Sequence, residues 1–240
     1  MIIQEILQNL YSNISPYESC DMSYVDDNYP HTNIDSQLVS VLTNHLEPNY
    51  IVECGSMVGG SAIIMANISK RPVLCIDPFT GDVNMWDWEK DSKYKFLRLE
   101  NGIPTIYKRF LANCKSRMLD KQILPINCTT IVGLKLLIKL YQQKRISSLP
   151  NYIYLDSAHE KDETLLELKT CWYTLSSNSI LFGDDWNWKS VKDDVVKFSS
   201  SVYDEIDLDG IETLSKLLIG SEIHDTKTLL YNNQWILIKK

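Results

Sequence analysis

Four side chains of this sequence could share one small volume. Tyr154-Leu155-Asp156-Ser157-Ala158-His159 closes one short apolar run, and Leu181-Phe182-Gly183-Asp184-Asp185-Trp186 closes another. If the two runs are neighbouring strands, about 4.8 Å apart, their ends bring Asp156, Asp184 and Asp185 together. Three carboxylates so placed repel unless they are protonated or bridged by a cation. All-oxygen ligands suit a hard ion, Mg²⁺ first, with water completing the octahedron. Any one of these acids alone reads more simply as a cap on a loop or helix; three at adjacent strand ends favour the cation. His159 lies three residues beyond Asp156. It titrates near neutrality and could take a hydroxyl proton there. A lone histidine is more often a surface or packing residue, and the D-x-x-H spacing beside the acids sets this one apart. His31, His45 and His224 have nothing comparable around them.

A second constellation lies earlier in the chain. Glu53-Cys54-Gly55-Ser56-Met57-Val58-Gly59-Gly60-Ser61 leads from an apolar run into a helical pattern. Glycines there allow a sharp bend and close approach of a ligand, and a helix start offers unpaired N–H groups. The spacing E-x-G-x-x-x-G-G-S differs from the G-x-G-x-x-G that seats a pyrophosphate. An acid ahead of the first glycine suits a ligand with an ammonium group better than a diphosphate. Asp77 ends the next apolar run, 22 residues after Gly55, where an acid commonly binds a ribose diol. Ammonium plus ribose without phosphate describes S-adenosylmethionine. A plain tight turn and a strand-end cap before Pro78 would account for either feature alone.

The elements that must position these residues follow from two alternating periodicities. Short apolar runs at Tyr50–Cys54, Val73–Ile76, Ile123–Ile126, Tyr152–Leu155 and Ser179–Phe182 read as strands. Amphipathic stretches at Ser61–Ile68, Lys93–Met118, Ile131–Gln143, Glu160–Leu175 and Ser190–Ser199 read as helices. Strands alternating with helices imply a parallel sheet, and nearly all-apolar strands imply helices on both faces. Thr228–Tyr231 and Trp235–Lys239 flank Asn232-Asn233, a turn pair, and form an expected antiparallel hairpin. The expected fold is α/β: a doubly wound, mostly parallel seven-stranded sheet closed by that hairpin. Residues 1–49, with helices at Ile2–Leu10 and Asp35–His45, are expected to form an N-terminal extension, and 50–240 the main domain. The Trp- and Asp-rich stretch from Phe79 to Asp91 is expected to loop over the site.

The chain has 240 residues and a formal charge of -7. That balance argues against a nucleic-acid partner, which needs Lys and Arg to meet phosphate. The first ten residues lack a basic start, and no run approaches the roughly 18 apolar residues of a membrane span. Six scattered cysteines without a C-x-x-C pair suggest reduced thiols and a cytoplasmic setting. A homo-oligomer is compatible with all of this.

With these motifs in hand, residues from about 50 to 240 resemble class I S-adenosylmethionine-dependent methyltransferases, which implies a Rossmann-like fold. The resemblance places the donor at Glu53, Gly55, Ser56, Gly59, Gly60 and Ser61, its ribose at Asp77, and its adenine beside Asn127 or Cys128. Asp156, His159, Asp184 and Asp185 also resemble the metal-dependent O-methyltransferases of macrolide sugars and related glycans. That likeness implies Mg²⁺ on the three acids, His159 as base, and a small-molecule or glycan acceptor. Catechol-type enzymes share the metal logic but typically carry Asp-Asn where this chain has Asp184-Asp185. Trp86, Trp88, Trp186 and Trp188 flank the mouth and could pack against a sugar or a planar acceptor. A metal-independent methyltransferase, a dinucleotide-dependent oxidoreductase and a non-catalytic binding domain are the competing expectations.

Overall fold

The computed structural model describes residues 2–26, 32–87 and 96–240. Five strands, β1 (Ile51–Cys54), β2 (Val73–Ile76), β3 (Ile123–Ile126), β4 (Tyr152–Leu155) and β5 (Ser179–Gly183), are buried along their whole length. Such strands must be covered on both faces, and the helices between them do this. β6 (Glu222–Ile223), β7 (Leu229–Tyr231) and β8 (Gln234–Lys239) complete one eight-stranded sheet, in the order β3-β2-β1-β4-β5-β8-β7-β6. The first five strands run parallel; β8 is antiparallel to β5 and to β7. The order reverses between β1 and β4. Crossovers leave that point in opposite directions and open a crevice at the strands' carboxyl ends.

Helices α1 (Ile2–Leu10) and α2 (Ser36–Leu46) lend Ile2, Ile3, Ile6, Leu38, Val39 and Leu42 to the main core. Asp35 starts α2 by accepting from Leu38 N at 2.9 Å. Tyr17 Oη donates to Ile123 O at 3.0 Å and Tyr11 Oη donates to Pro125 O, so both phenols cover the outer edge of β3. Pro125 is tolerated there because β3 pairs only with β2. Helix α3 (Gly60–Ser69) follows the glycine turn. Further helices are α4 (Val83–Asp87), α5 (Ile106–Ser116), α6 (Thr130–Gln142), α7 (Glu163–Thr174), α8 (Lys189–Ser201) and α9 (Leu208–Leu217). No described helix is long and apolar enough to cross a membrane.

Three expectations need correction. The sheet has eight strands, because Glu222–Ile223 adds a two-residue strand outside β7. The helix expected over 93–118 is interrupted, and residues 93–95 lie outside the described residues. Asn101 and Gly102 adopt left-handed φ of 51° and 81°, Glu100 bridges Ile103, and the helix begins only at Ile106, after Pro104. Proline disfavours helical backbone in the residue before it, so the amphipathic pattern alone overran this turn. Helix α9 was not anticipated; its buried Ile211 and Leu214 dock on the core. The stretch after Phe79 also holds the short helix α4, and its part from Trp88 onward lies outside the described residues.

Candidate active site

The glycine turn takes its shape from contact with the β4 loop. Gly55 has φ of +86°, and a Cβ there would stand 1.9 Å from Asp156 O. Only glycine permits both the conformation and the approach. Gly59, at φ +90°, packs against Phe110 and Cys114. Asp77 ties the turn down from β2: its Oδ2 accepts from Ser56 N at 2.7 Å and Met57 N at 2.8 Å, and its Oδ1 from Phe79 N at 2.5 Å. Burial nevertheless raises the Asp77 carboxyl, against the pull of those three amides. Glu53 is fully buried behind the turn and accepts from Ser61 Oγ. Burial pushes its carboxyl up to about 7, with the Ser56 and then the Ser61 hydroxyl pulling back. The buried Ser56 hydroxyl lies beside Glu53 and Cys75 behind the turn.

A cavity of about 420 Å³ opens over this turn. Of the sequence-derived residues, Gly55, Ser56, Gly60, Ser61, Asp77, Asp156 and His159 line it. Glu53 and Gly59 support it from behind, and neither Asn127 nor Cys128 is among its lining residues; Asn127 is exposed and Cys128 half-buried. The wall instead carries Asp82, Thr129, Thr130, Ser157, Glu163 and Glu167, none of which stood out in the sequence. Glu163 and Glu167 are spaced i, i+4 and so share one face of α7, a pattern visible beforehand but common on solvated helices.

At the β4 and β5 ends, Asp156, His159 and Asp185 offer ligand atoms within 4.8 Å of one another. His159 Nε2 lies 2.7 Å from Asp185 Oδ2 and 3.9 Å from Asp156 Oδ1. Its Nδ1 lies 3.3 Å from Asp82 Oδ2, and Trp188 stacks on the ring at 4.9 Å between centroids. Burial pulls the imidazole down, but the hydrogen bonds and charges of Asp156 and Asp185 outweigh it and push it up to about 11. Asp184 is outside this group: it is buried, and its Oδ1 accepts from Asp185 N at 2.8 Å and Asn233 Nδ2 at 3.1 Å. Burial and then the charge of Asp156 push its carboxyl up to about 7. The cluster therefore consists of two aspartates and the histidine rather than three aspartates. The two carboxylates over that span suit a hard divalent cation, with the imidazole beside them. Asp184 still borders the same small cleft as Asp156, His159 and Asp185.

Asn233 presents this loop from the hairpin turn, since its carbonyl accepts from Trp186 N and its Oδ1 from Asn187 N. The sequence marked Asn233 only as a turn residue. Trp186 is buried against His224, Trp86 donates to Thr80 O, and Trp188 covers His159. Trp88 and His31 lie outside the described residues.

No protein of curated function matches the sequence. Solved structures show the fold. A methyltransferase from Podospora anserina, solved with S-adenosylhomocysteine, is 12% identical with a TM-score of 0.52, covering 88% of this chain and 80% of its own. A Staphylococcus aureus protein is 13% identical with a TM-score of 0.52 and 99% coverage of both chains. A methyltransferase from Geobacter sulfurreducens is 12% identical with a TM-score of 0.50, covering 99% of this chain and 86% of its own. The family described as rhamnosyl O-methyltransferase/CmcI matches residues 21–204, most of the chain. The chain belongs to that family, and with its glycine turn and reversed parallel sheet it is a class I S-adenosylmethionine-dependent O-methyltransferase.

Proposed function

We propose that this enzyme methylates a hydroxyl of a sugar or glycan with the help of a divalent cation, Mg²⁺ first. The observation that carries the reading is the cluster of Asp156, His159 and Asp185 beside the cavity that Gly55, Ser56, Gly60, Ser61 and Asp77 line. Residues 50–240 act as the methyltransferase domain, with 1–49 as its extension. The family's rhamnosyl name supports a sugar acceptor.

Asp156 and Asp185 would hold the cation, while Asp184, buried behind them, braces the Asp185 amide at the edge of the same cleft. When bound, a divalent cation lowers the pKa of a neighbouring hydroxyl and orients it. The glycine turn and Asp77 fix the donor, Glu53 and Gly59 support the turn, and the cavity wall excludes water. His159 takes the hydroxyl proton at Nε2. A base must be neutral first, and Asp156 and Asp185 hold His159 charged. The base role therefore requires their charge to be met by something else, which couples base and cation in one site. Alignment supplies most of the acceleration, because the donor is already activated. Free cysteines, four of them buried, fit a reducing compartment, and we place the reaction in the cytoplasm.

The test uses labelled S-adenosylmethionine and a panel of glycosides and catechols. Turnover of a glycoside should stop in EDTA and return with Mg²⁺, and Asp185→Ala should not respond to Mg²⁺. Full turnover in EDTA removes the cation from the mechanism, and turnover of catechols alone replaces the sugar.

A further inference from the structure

Asp185, whose carboxylate lies 2.7 Å from His159 Nε2, stands on backbone with φ of 61°. Residues other than glycine enter that left-handed region only where their surroundings hold them there. Here the peptide groups on both sides of the Asp185 Cα are bonded to the hairpin. Trp235 Nε1 donates to Asp184 O at 3.0 Å, and Trp186 N donates to Asn233 O at 2.9 Å. The Asn233 side chain adds two bonds. Its Nδ2 donates at 3.1 Å to Asp184 Oδ1, the oxygen that also accepts from Asp185 N, and its Oδ1 accepts from Asn187 N at 2.8 Å. Trp235 is buried so close to Gly183 that a Cβ there would meet its ring at 2.3 Å.

A Cα joins two peptide planes, and φ and ψ are the only soft dihedrals between them. Holding both planes fixes φ and ψ, and with them the direction in which Cβ leaves the backbone. The hairpin does this at Asp185. Released from it, Asp185 would fall back to the extended or right-handed backbone that its type prefers, and its carboxylate would turn away from Asp156 and His159. Asp156 needs no such hold: it continues the line of β4, with its N–H on Cys54 O at 2.9 Å.

We propose that Asn233 and Trp235 are positioning residues for the cation: they keep Asp185 left-handed and so hold its carboxylate beside that of Asp156, where the two can share a divalent ion. This rests on the cation reading above. Groups that orient a metal-binding side chain typically contribute about 10- to 100-fold to metal affinity. Loss of either side chain's bonds should therefore weaken cation binding and leave the glycine turn, and with it the donor, untouched.

Two calorimetric titrations provide the test without any acceptor: one with Mn²⁺, which takes the same oxygen ligands as Mg²⁺, and one with S-adenosylhomocysteine. Asn233→Ala and Trp235→Phe, which deletes the indole N–H and keeps most of the bulk, should each weaken Mn²⁺ binding by about tenfold or more. Affinity for S-adenosylhomocysteine should stay at the wild-type value in both. Asn233 is only half-buried, so Asn233→Ala decides the matter where Trp235→Phe fails to fold. Asn232→Gly is the control from the same turn. It suits the left-handed backbone there and removes only the 3.0 Å bond to Asp35 Oδ2, so Mn²⁺ affinity should not change. Unchanged Mn²⁺ affinity in Asn233→Ala, even with a lower melting temperature, overturns the proposal, as does an equal loss in Asn232→Gly. A wild-type protein that takes up no Mn²⁺ overturns the cation reading, and this proposal with it.

Discussion

The donor side and the acceptor side of this cavity are built in opposite ways. Around the glycine turn the backbone does the work: two amides of the turn and that of Phe79 converge on Asp77, and Gly55 packs directly on the β4 loop. Its shape is set by buried bonds that exist before any ligand arrives. At the β4 and β5 ends, charged side chains of intermediate exposure do the work, and Asp156, His159 and Asp185 are balanced chiefly by one another. The donor side should therefore fail by misfolding, the acceptor side by losing chemistry while the fold survives.

The largest effect expected from that contrast is at Gly55. An alanine there meets Asp156 O and must hold a left-handed backbone, so Gly55→Ala should cost about 3 kcal/mol or more. Urea unfolding should show the loss, and S-adenosylhomocysteine binding should disappear with it. Ordinary stability in that variant would break the comparison. Next is His159→Ala. Turnover should fall by about 10²-fold or more, the usual scale for a lost general base, with affinity for S-adenosylhomocysteine little changed. A parallel loss of donor affinity would mean that the two sides are one unit.

The smallest effect is a pH dependence at Glu53. Its carboxyl sits at about 7 in the fold against an ordinary 4.5. Between those values the folded protein keeps a proton that the unfolded chain releases, so stability falls as pH rises through that window. Glu53→Gln should flatten this part of the stability curve, read as melting temperature from about pH 5 to about pH 8. An unchanged slope would place the proton elsewhere.

The alternation of buried strands and amphipathic helices was legible because each element's pattern reflects which faces are covered. Gly55, Asp77, Asp156 and His159 were legible because a bend, a strand end and an acid-rich turn each leave a local mark. Asp82, Asn233 and Glu167 left no mark of the place they take in the site. Asp82 reaches His159 from the loop after β2, and Asn233 reaches the β5 loop from the hairpin, 49 residues beyond Asp184. Glu167 looks in sequence like any polar helix residue. The break before Ile106 was visible as Asn101-Gly102 and Pro104, but helical periodicity ran across it.

What the sequence by itself determined is most of the elements and the identity of the groups at their ends, because periodicity and turn chemistry act over a few residues. Which of those groups meet was decided by the tertiary structure. Strand order brought β4 beside both β1 and β5, and loop packing turned Asp184 inward and His159 towards Asp185. Contacts between distant segments depend on that packing, for which no short stretch of chain carries a code.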